Sequence, residues 1–476
     1  MPLDYAKLGF KCGLEIHQQL EGNKLFCACP SDIRKESPDF SVKRRLRAAA
    51  GETGSKDRAA EYEQTKQKEF VYQGYRNATC LVELDEEPPN EVNQKALKTA
   101  IQVAQLLNCK LVDRVLFMRK TVVDGSNTSA FQRTALIGRN GFIEVNGKKI
   151  CVDTVCLEEE ACQVMERKDK QDIYNLSRLG IPLIEIATDA SISSPEECKE
   201  AAARIGMILR SVSGMKRGIG TIRQDVNVSI KGGARTEIKG FQDYKAIPKV
   251  AEYEVNRQLQ LVKEGKKPEE SVRKAEPDFT TSFLRPMPGA DRMYPETDVP
   301  QIKPEITELE NIELLDDKAN KFIELGLSKD LAMKIVKSKK LSFFEKLLKK
   351  CSKVKPAFIA ETLISYDSDV TTKNKDANPD KITEEHLEEV FSALNSEKIA
   401  KTSVIEVLTD ISSERKLNLE SYSIVPDKEL EDEIKKVLSS NKDAPLGVII
   451  GAIIAKYRGR VDGKKAAELV NKMRGK

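Results

Sequence analysis

Apolar and polar residues alternate with a period of two in several short segments before residue 300. The clearest of these segments are GLEIHQQL (13–20), IPLIEIATD (181–189), RQDVNVSI (223–230) and RTEIKGF (235–241). Such alternation predicts strands with one buried face. One helix is also well signalled, because Ser194 is a good N-cap, Pro195 suits a first helical turn and Glu197 completes a capping box.

The period changes beyond residue 305, where apolar residues recur every three or four positions, as in 306–326 and 330–350. This spacing predicts helices. The proline-rich stretch 276–304 predicts an ordered loop or a domain boundary, and the polar stretch 367–385 predicts a linker or exposed loop. The fold class is therefore predicted to be α+β, with a mixed-sheet domain (1–300), a helical domain (301–410) and a helical tail (411–476).

Composition narrows the class of protein. Hydrophobic residues make up 40% of the 476 residues, which is enough for a sizeable core. No apolar run approaches the roughly 18–20 residues of a membrane span, and the N-terminus has no signal-peptide pattern, so we expect a cytoplasmic protein without membrane contact. The ten cysteines are scattered, and Cys27 and Cys29 lack a second close pair, which makes structural zinc unlikely without excluding it.

Positive charge is concentrated in two helical stretches, although the formal net charge is only +4. Residues 334–355 contain nine lysines against one acid, and residues 456–476 contain eight basic residues against two acids. Local positive surface favours phosphate backbones. A solvated lysine-rich helix face explains each stretch equally well.

The strand over 13–20 carries a possible metal site. Alternation places Leu14 and Ile16 towards the core, and Glu15, His17 and Gln19 together on the other side. A glutamate and a histidine two positions apart on one strand face can reach a single metal ion. An isolated surface or core histidine is the alternative.

Three further segments carry charged or polar groups that suit phosphate chemistry. Glu158, Glu159 and Glu160 follow an apolar run, so they form either an exposed acidic turn or a cation-binding group. The predicted hairpin over 222–239 has charges of both signs in register, which suits phosphate and metal handling as well as a solvated face. The loop 124–134 has the glycine, serine and asparagine content of an anion-receiving loop, and the chain has no P-loop or kinase signature.

These segments, taken in order, resemble the motifs of a known family. The motifs are GLEIHQQL, LFCACP, CLVELDEEPP, MRKTVVDGSNTSAFQRT, CLEEEA, LSRLGIPLIEIATD, GIGTIRQDVNVSI, EIKGFQD and FLRPMPGADRMYPETDVP. They are similar to those of the synthetase subunits of tRNA-dependent amidotransferases, the GatB/GatE family, over nearly the whole chain. The GSNTSAFQRT and RMYPETDVP forms are closer to the archaeal E branch, and the GRVDGK region resembles the family's YqeY-like tail.

The resemblance implies a fold and a reaction. The mixed sheet would be the family's cradle domain, in which ATP and Mg²⁺ phosphorylate the γ-carboxylate of Glu-tRNA(Gln). Ammonia from an asparaginase-like amidase partner would then displace the phosphate and give Gln-tRNA(Gln). The two kinds of subunit are expected to form a heterotetramer.

The resemblance also implies roles for individual residues. The metal-binding positions would be Glu15, His17 and Glu159, with Glu158 adjacent. The phosphate and second-metal face, which performs the catalysis, would be Arg223, Asp225, Glu237 and Lys239. Positions near the substrate or ammonia path would be Ser126, Asn127 and Arg133. The tail would contact tRNA through Lys456, Arg458, Arg460 and Lys464.

The chain departs from the archaeal pattern in one place. An inserted domain resembling part of bacterial aspartyl-tRNA synthetase is expected after the segment 255–265, and only a short segment is present here. Two other functions stay open at this point. One is a tRNA-binding scaffold without catalysis. The other is a bacterial-type B subunit that acts on both Asp-tRNA(Asn) and Glu-tRNA(Gln).

Overall fold

A computed structural model describes most of the chain. The described residues are 3–47, 54, 56, 58–241, 243–287, 293–306, 312–413, 419–440, 445–457, 460–461 and 463–474. They divide into two compact units, Met1–Glu313 and Leu314–Lys476. The first unit is a sheet domain and the second is helical, as the change of hydrophobic period predicts. The further division of the helical part at residue 410 stays a prediction.

The first unit contains all the described strands. They are β1 (Lys11–Gln19), β2 (Phe40–Arg44), β3 (Glu69–Gly74), β4 (Lys110–Leu111), β5 (Phe117–Thr121), β6 (Phe131–Val145), β7 (Lys148–Glu159), β8 (Gln163–Arg167), β9 (Gln171–Asn175), β10 (Pro182–Thr188), β11 (Ile222–Ser229), β12 (Thr236–Phe241), β13 (Ser271–Ala275), β14 (Thr281–Pro286) and β15 (Met293–Pro295). Its helices are α1 (Arg58–Thr65), α2 (Gln94–Leu106), α3 (Pro195–Ser211) and α4 (Ile247–Lys263).

Ten of these strands form the continuous path of a large mixed sheet, in the order β14-β13-β12-β11-β1-β10-β7-β6-β5-β15, and β4 pairs with β6 at one side. Strand β1 lies between β10 and β11 and is antiparallel to both. A smaller sheet has the order β2-β3-β9-β8. The stretch 276–304, predicted as a loop or boundary, contributes β14 and β15, and β15 pairs with β5.

Three helices cover one face of the large sheet. Helix α3 packs on β1 and β6, α2 packs on β6 and β7, and α4 packs on β11. Leu14 and Ile16 of β1 point towards these helices and are almost fully buried. We call this side the helix face, and we call the side that carries Glu15 and His17 the site face. The predicted alternation of β1 is confirmed.

The predicted start of α3 is confirmed with one difference. The Ser194 hydroxyl accepts from the Glu197 amide, and Pro195 occupies the first turn. The Glu197 carboxylate reaches back to the amide of Ser193, rather than to that of Ser194 as in the usual capping box. The helix that supports β1 is therefore fixed at its N-terminus by side chains on both sides of the cap.

The second unit is helical throughout its regular structure. Its helices are α5 (Leu315–Glu324), α6 (Lys329–Lys337), α7 (Leu341–Lys350), α8 (Pro356–Lys373), α9 (Glu384–Asn395), α10 (Ser403–Ser412), α11 (Asp427–Ser440), α12 (Leu446–Lys456) and α13 (Gly463–Arg474). The last three share a small core of buried residues that includes Ile434, Ile453 and Val470. Among the described helices, none combines the length and the apolar character needed to cross a lipid bilayer.

The prediction of a linker or loop over 367–385 is wrong for its first third. Helix α8 continues to Lys373, because Leu363, Tyr366 and Val370 form a buried stripe at helical spacing under a polar surface. Helix α9 then starts at a capping box. The Thr383 hydroxyl accepts from the His386 amide, and the His386 ring accepts from the Thr383 amide. The second histidine of the chain thus has a structural contact.

We expect the core beneath β1 to dominate the stability of the sheet unit. Ile16→Ala removes a fully buried side chain from a central strand and should cost about 2–5 kcal/mol in the free energy of unfolding. Urea unfolding followed by circular dichroism measures this cost. Val164→Ala, at a position of β8 that is 37% exposed, is the control and should change stability by less than about 0.5 kcal/mol. Equal losses in the two variants would contradict the assignment of the core.

Candidate functional site

The pairing of four strands aligns a row of reactive side chains across the site face. His17 of β1 lies opposite Arg223 of β11 on one side and opposite Glu185 of β10 on the other. Glu185 lies opposite Cys156 of β7. Directly opposed residues of antiparallel strands project from the same face. Strand pairing therefore gathers residues that are far apart in sequence.

The centre of the row is a cluster of two carboxylates around one imidazole. The Nε2 atom of His17 lies 3.2 Å from Glu15 Oε1 and 3.3 Å from Glu185 Oε2. The candidate ligand atoms of all three residues lie within 4.8 Å of one another. Burial alone would lower the pKa of His17, but the two carboxylates outweigh it and raise that pKa well above its ordinary value. The cluster therefore attracts cationic charge.

The donor set of this cluster fits a divalent cation. Two carboxylates supply the oxygen ligands that Mg²⁺ and Mn²⁺ prefer, and the imidazole adds one nitrogen ligand. Gln19, two residues further along the same face, has a buried Oε1 atom for which no hydrogen-bond partner is found in the described part of the chain. This buried acceptor lies on the same strand face as the cluster and could accept from a water that a bound cation holds.

The sequence motif contained Glu185, but its role was not predicted. Its signal is a single acidic residue in the otherwise apolar run PLIEIA. Alternation alone puts Glu185 on one face of its strand. Which residue of β1 it opposes depends on the register of the β1–β10 pair, and the local sequence does not give that register. The third member of the metal-competent cluster could therefore be found only in three dimensions.

The acidic run at the end of β7 is buried, so the alternative of an exposed acidic turn is wrong. Glu158, Glu159 and Glu160 are all at most 6% exposed. Because side chains alternate along a strand, Glu158 and Glu160 contact groups of the site face, and Glu159 contacts groups of the helix face. Neither Glu158 nor Glu159 joins the three-residue cluster. Their predicted roles as metal ligands stay predictions.

Glu158 is linked to the cluster through Lys120. The Lys120 ammonium lies 2.6 Å from Glu158 Oε1 and 3.8 Å from Glu185 Oε2. Thr134 and Gln132 also donate to Glu158. Burial and the charge of Glu185 raise the pKa of Glu158, whereas Lys120 and His17 lower that of Glu185 in spite of its burial. Of the two, Glu185 is the stronger candidate for a cation ligand.

Arg223 and Glu160 close one side of the row. The Arg223 guanidinium donates to both carboxylate oxygens of Glu160, at 2.7 and 2.8 Å, and Gln19 donates to Glu160 at 2.9 Å. Burial opposes ionisation of Glu160, yet Arg223 and Arg178 lower its pKa to about 2. Glu160 therefore stays ionised and holds the guanidinium over the sheet.

The predicted hairpin is confirmed, and its charged residues meet. Strands β11 and β12 pair with Asn227 opposite Glu237. The Lys239 ammonium lies 2.6 Å from Asp225 Oδ2 and 2.5 Å from Glu237 Oε1. Asp225 is in turn directly opposite Glu15. The second predicted group of phosphate- and metal-handling residues therefore borders the first cluster.

A separate charged network lies on the helix face. Arg133 contacts Glu159 at 3.4 Å and Glu296 at 2.7 Å, and Arg119 forms a bidentate pair with Glu296. Glu296 follows β15 and has a fully buried side chain. The sequence alone assigns no role to Arg119 or Glu296, because their partners lie on strands distant in the chain. The role of Arg133 near a substrate or ammonia path stays a prediction.

The loop with Ser126 and Asn127 borders this network. Gly125 has a positive φ of 88°, and a Cβ atom there would lie 2.3 Å from the Phe70 ring, so the loop requires glycine. Ser126 donates to Asp124 through its hydroxyl. Asn127 is buried and lines a small cavity together with Arg133, Glu159 and Gly180. Two of the three predicted path residues thus line one cavity.

Four further ligand groups meet near the start of the chain. Cys27, Cys29, Cys80 and Glu83 have candidate ligand atoms within 4.8 Å of one another. The Cys27 thiol donates to Glu83 Oε1, and the Cys80 amide donates to Glu83 Oε2, both at 2.7 Å. The sequence disfavoured zinc because Cys27 and Cys29 form one close pair and a structural zinc site usually has two such pairs. The fold supplies two more groups, and three thiols with a carboxylate could hold a zinc ion.

The basic residues of the tail lie on the surface of the second unit where they are described. Lys456 pairs with Glu433 at 2.6 Å, Arg460 donates to the Ser423 carbonyl, and Lys464 is exposed in α13. Arg458 lies outside the described residues. Their predicted contact with tRNA stays a prediction.

Two family models match the chain. One, described as the GatB/GatE catalytic domain, matches residues 10–310, and one described as a GatB domain, of the YqeY type, matches residues 342–473. They correspond to the sheet part and to most of the helical part.

Archaeal relatives align over the whole chain. The protein of Methanococcus maripaludis strain C7 is 35% identical over 619 positions, which cover 98% of each chain. That of Methanocaldococcus jannaschii is 36% identical over 627 positions, which cover 99% of each. Both are named as the E subunit of glutamyl-tRNA(Gln) amidotransferase. The alignments are longer than the 476 residues of this chain, so each relative has segments without a counterpart here, in agreement with the expected missing insert.

The three-residue cluster predicts binding of a divalent cation. Isothermal titration with Mn²⁺ should show a site that Glu185→Gln weakens about 10-fold or more, because a ligand charge is lost. Glu166→Gln, at an exposed position of β8, removes the same charge elsewhere and should leave the affinity unchanged. Unaltered binding by Glu185→Gln would show that the ion binds outside this cluster.

The thiol cluster predicts retention of zinc. After loading with one equivalent of Zn²⁺ and dialysis, we expect the chain to retain the ion and Cys80→Ser to lose most of it, because the number of thiolate ligands falls from three to two. Metal analysis by plasma emission measures the content. Cys151→Ser, at an exposed cysteine, is the control. Equal retention by the two variants would exclude the cluster as the zinc site.

Proposed function

Because this chain belongs to the GatB/GatE family, we propose that it is the synthetase subunit of a glutamyl-tRNA(Gln) amidotransferase. It would phosphorylate the γ-carboxylate of Glu-tRNA(Gln) with ATP, and the activated acyl group would then take ammonia to give Gln-tRNA(Gln). The observation that carries the proposal is the site face, where the cluster of Glu15, His17 and Glu185 lies between the cations Lys120, Arg223 and Lys239.

The chemistry explains why both kinds of group are needed. A carboxylate reacts with ammonia only after one of its oxygens has become part of a good leaving group. Transfer of a phosphoryl group to a carboxylate brings two anions together, so the site must offset their repulsion. A bound Mg²⁺ supplies Lewis-acid charge when present. Glu15, His17 and Glu185 would hold it, and Asp225 and Glu237 offer carboxylates for a second ion.

The protein's own cations would orient the substrates. The planar Arg223 guanidinium is fixed in position by Glu160, which accepts from one of its Nη atoms, and its remaining N–H groups can donate to a phosphate oxygen. Lys239 lies between Asp225 and Glu237, and their charges raise its pKa in spite of burial, so it stays protonated. Both groups are preorganised before substrate arrives, which lowers the cost of stabilising the transferred phosphoryl group.

Ammonia would come from a separate subunit. The sequence has no recognisable amidase nucleophile motif, so an asparaginase-like amidase is the proposed partner, in a cytoplasmic heterotetramer. The cavity lined by Asn127, Arg133 and Glu159 is the proposed end of an ammonia path. It lies on the helix face, and Glu158, the chain neighbour of Glu159, faces the phosphorylation site. A polar cavity beside the site suits delivery of a small neutral molecule.

Two alternative functions predict different results. If this chain is a tRNA-binding scaffold without catalysis, Glu15→Ala should leave the amidation activity of the assembled enzyme unchanged. The position of Glu15 in the cluster argues instead that the substitution lowers this activity. A bacterial-type B subunit would amidate Asp-tRNA(Asn) as well as Glu-tRNA(Gln). The names of the archaeal relatives favour glutamyl-tRNA(Gln). Comparing the two misacylated tRNAs as substrates decides between these possibilities.

The decisive assay combines this chain with an asparaginase-type amidase subunit, Glu-tRNA(Gln), ATP, Mg²⁺ and glutamine. We expect Gln-tRNA(Gln) and ADP to form together. Glu185→Gln should lower the rate by about 100-fold or more, because it removes a ligand for the charge-neutralising ion, and Glu166→Gln should retain it. Product formation is followed by chromatography of the hydrolysed amino acid.

Ammonium chloride in place of glutamine isolates the synthetase step from the partner. The wild-type chain alone should then amidate Glu-tRNA(Gln) with ATP, and Glu185→Gln should not. The absence of ATP-dependent product from the wild type with every nitrogen source and partner would refute the proposal. Release of ammonia from glutamine by the isolated chain would refute the division of labour between subunits.

A further inference from the structure

A wide groove lies at the end of the large sheet, at the far end of β1 from His17. Its cavity volume is about 1230 Å³. It is formed by the start of β1, the turn of the β11–β12 hairpin, the segment before β13 and the end of β14. This is more than the roughly 300–1,000 Å³ of a typical small-molecule pocket, which indicates an extended ligand.

Unpaired cations line the rim of the groove. Lys11, Lys231, Arg235 and Lys267 are exposed, and in the described ranges none of them has a carboxylate within ion-pair distance. Arg235 donates to the amide oxygen of Asn227, which fixes its direction without cancelling its charge. Glu269 and Glu270 also line the groove. The cations therefore outnumber the anions on its surface. The rim attracts polyanions.

The inner wall holds two more guanidinium groups. Arg257 forms a bidentate contact with Glu254, and Arg273 lies 3.6 Å from the same carboxylate. Glu254 is fully buried, and Thr281 donates to it as well. One carboxylate thus compensates two arginines, which leaves excess positive charge in a rigid wall. This second observation is independent of the surface lysines.

An aromatic ring completes the groove. Phe283 of β14 lines it and is 54% exposed. Exposed aromatic rings beside a cationic channel are the usual means of binding single-stranded nucleic acid, because bases of any sequence can stack on them. The ring therefore offers a stacking surface for a nucleic-acid base, which the surrounding cations alone do not provide.

We propose that this groove binds the acceptor end of the substrate tRNA, with the phosphates on the rim cations and an unpaired base on Phe283. The proposal rests on the proposed function and adds where the RNA binds. Lys11 and Glu15 project from the same face of β1 and are four residues apart, or about 14 Å along the strand. The rim of the groove at Lys11 therefore lies on the face of β1 that carries the cluster, whereas the wall formed by Arg257 of α4 lies towards the helix face.

The test uses the full chain and a triple charge reversal, Lys231→Glu, Arg235→Glu and Lys267→Glu. A control, Lys98→Glu, Lys110→Glu and Lys170→Glu, changes the net charge equally at exposed positions outside the groove. Binding of fluorescent tRNA(Gln) is measured by anisotropy at several salt concentrations. We expect the groove variant to weaken binding at least about 10-fold and to reduce the salt slope by about 2–3, and the control to resemble the wild type.

Phe283→Ala tests the stacking contact separately. It should weaken binding of intact tRNA by several-fold and leave unchanged the binding of tRNA trimmed of its single-stranded 3′ end. In the ammonium-dependent assay, the groove variant should raise the KM for Glu-tRNA(Gln) and retain kcat. Circular dichroism confirms that the variants are folded.

The outcomes separate the two proposals. Equal tRNA affinity for the groove and control variants would overturn the groove proposal. If the groove variant then fails to bind the amidase subunit, the groove is a protein interface instead. Loss of tRNA binding in the groove variant supports the groove proposal, whether or not the wild type forms Gln-tRNA(Gln). A wild type that binds tRNA through the groove but forms no product would refute the proposed synthetase activity alone.

Discussion

Compensation of buried charge is the constraint on which the site face depends. An ionised carboxylate removed from water costs several kcal/mol unless a cation or several donors accompany it. Glu158, Glu160 and Asp225 are each nearly buried, and each has a basic side chain at 2.6 or 2.7 Å. The arrangement of acids and bases is therefore mutual. Loss of one member leaves a charge without a partner, so the face is assembled as a whole or not at all.

The cluster around His17 differs from these pairs, because its two carboxylates meet at one imidazole and the nearest ammonium, that of Lys120, is 3.8 Å from Glu185. Two carboxylates share a single imidazole, and the pKa of His17 rises in response. A divalent ion would bind both carboxylates at once, and His17 would lose its extra proton. The neighbouring pairs, such as Lys239 with Asp225, hold their charges in place without it. Ion pairs that are complete without a metal can thus keep the site face folded while the cluster of Glu15, His17 and Glu185 stays able to bind an ion.

Much of this arrangement can be predicted from local sequence, and the rest cannot. Period-two alternation predicted β1, its buried Leu14 and its polar face, and the capping residues predicted the start of α3. Local patterns do not carry strand register, so Glu185 and the pairing of Arg223 with Glu160 were missed. For the cysteine cluster, the sequence showed the Cys27–Cys29 pair but not that folding brings Cys80 and Glu83 next to it.

The adjacent residues Glu158 and Glu159 project to opposite sides of one strand, with Lys120 on one side and Arg133 on the other. Strand β7 therefore separates the two groups of side chains by the thickness of one main chain. The Cα atoms of Glu158 and Glu159 are only about 3.8 Å apart. Two chemically separate compartments share this wall and its main chain. A shift of the backbone that tightens one compartment necessarily moves the side chain that borders the other, so neither can be reshaped by evolution or by design independently of its neighbour.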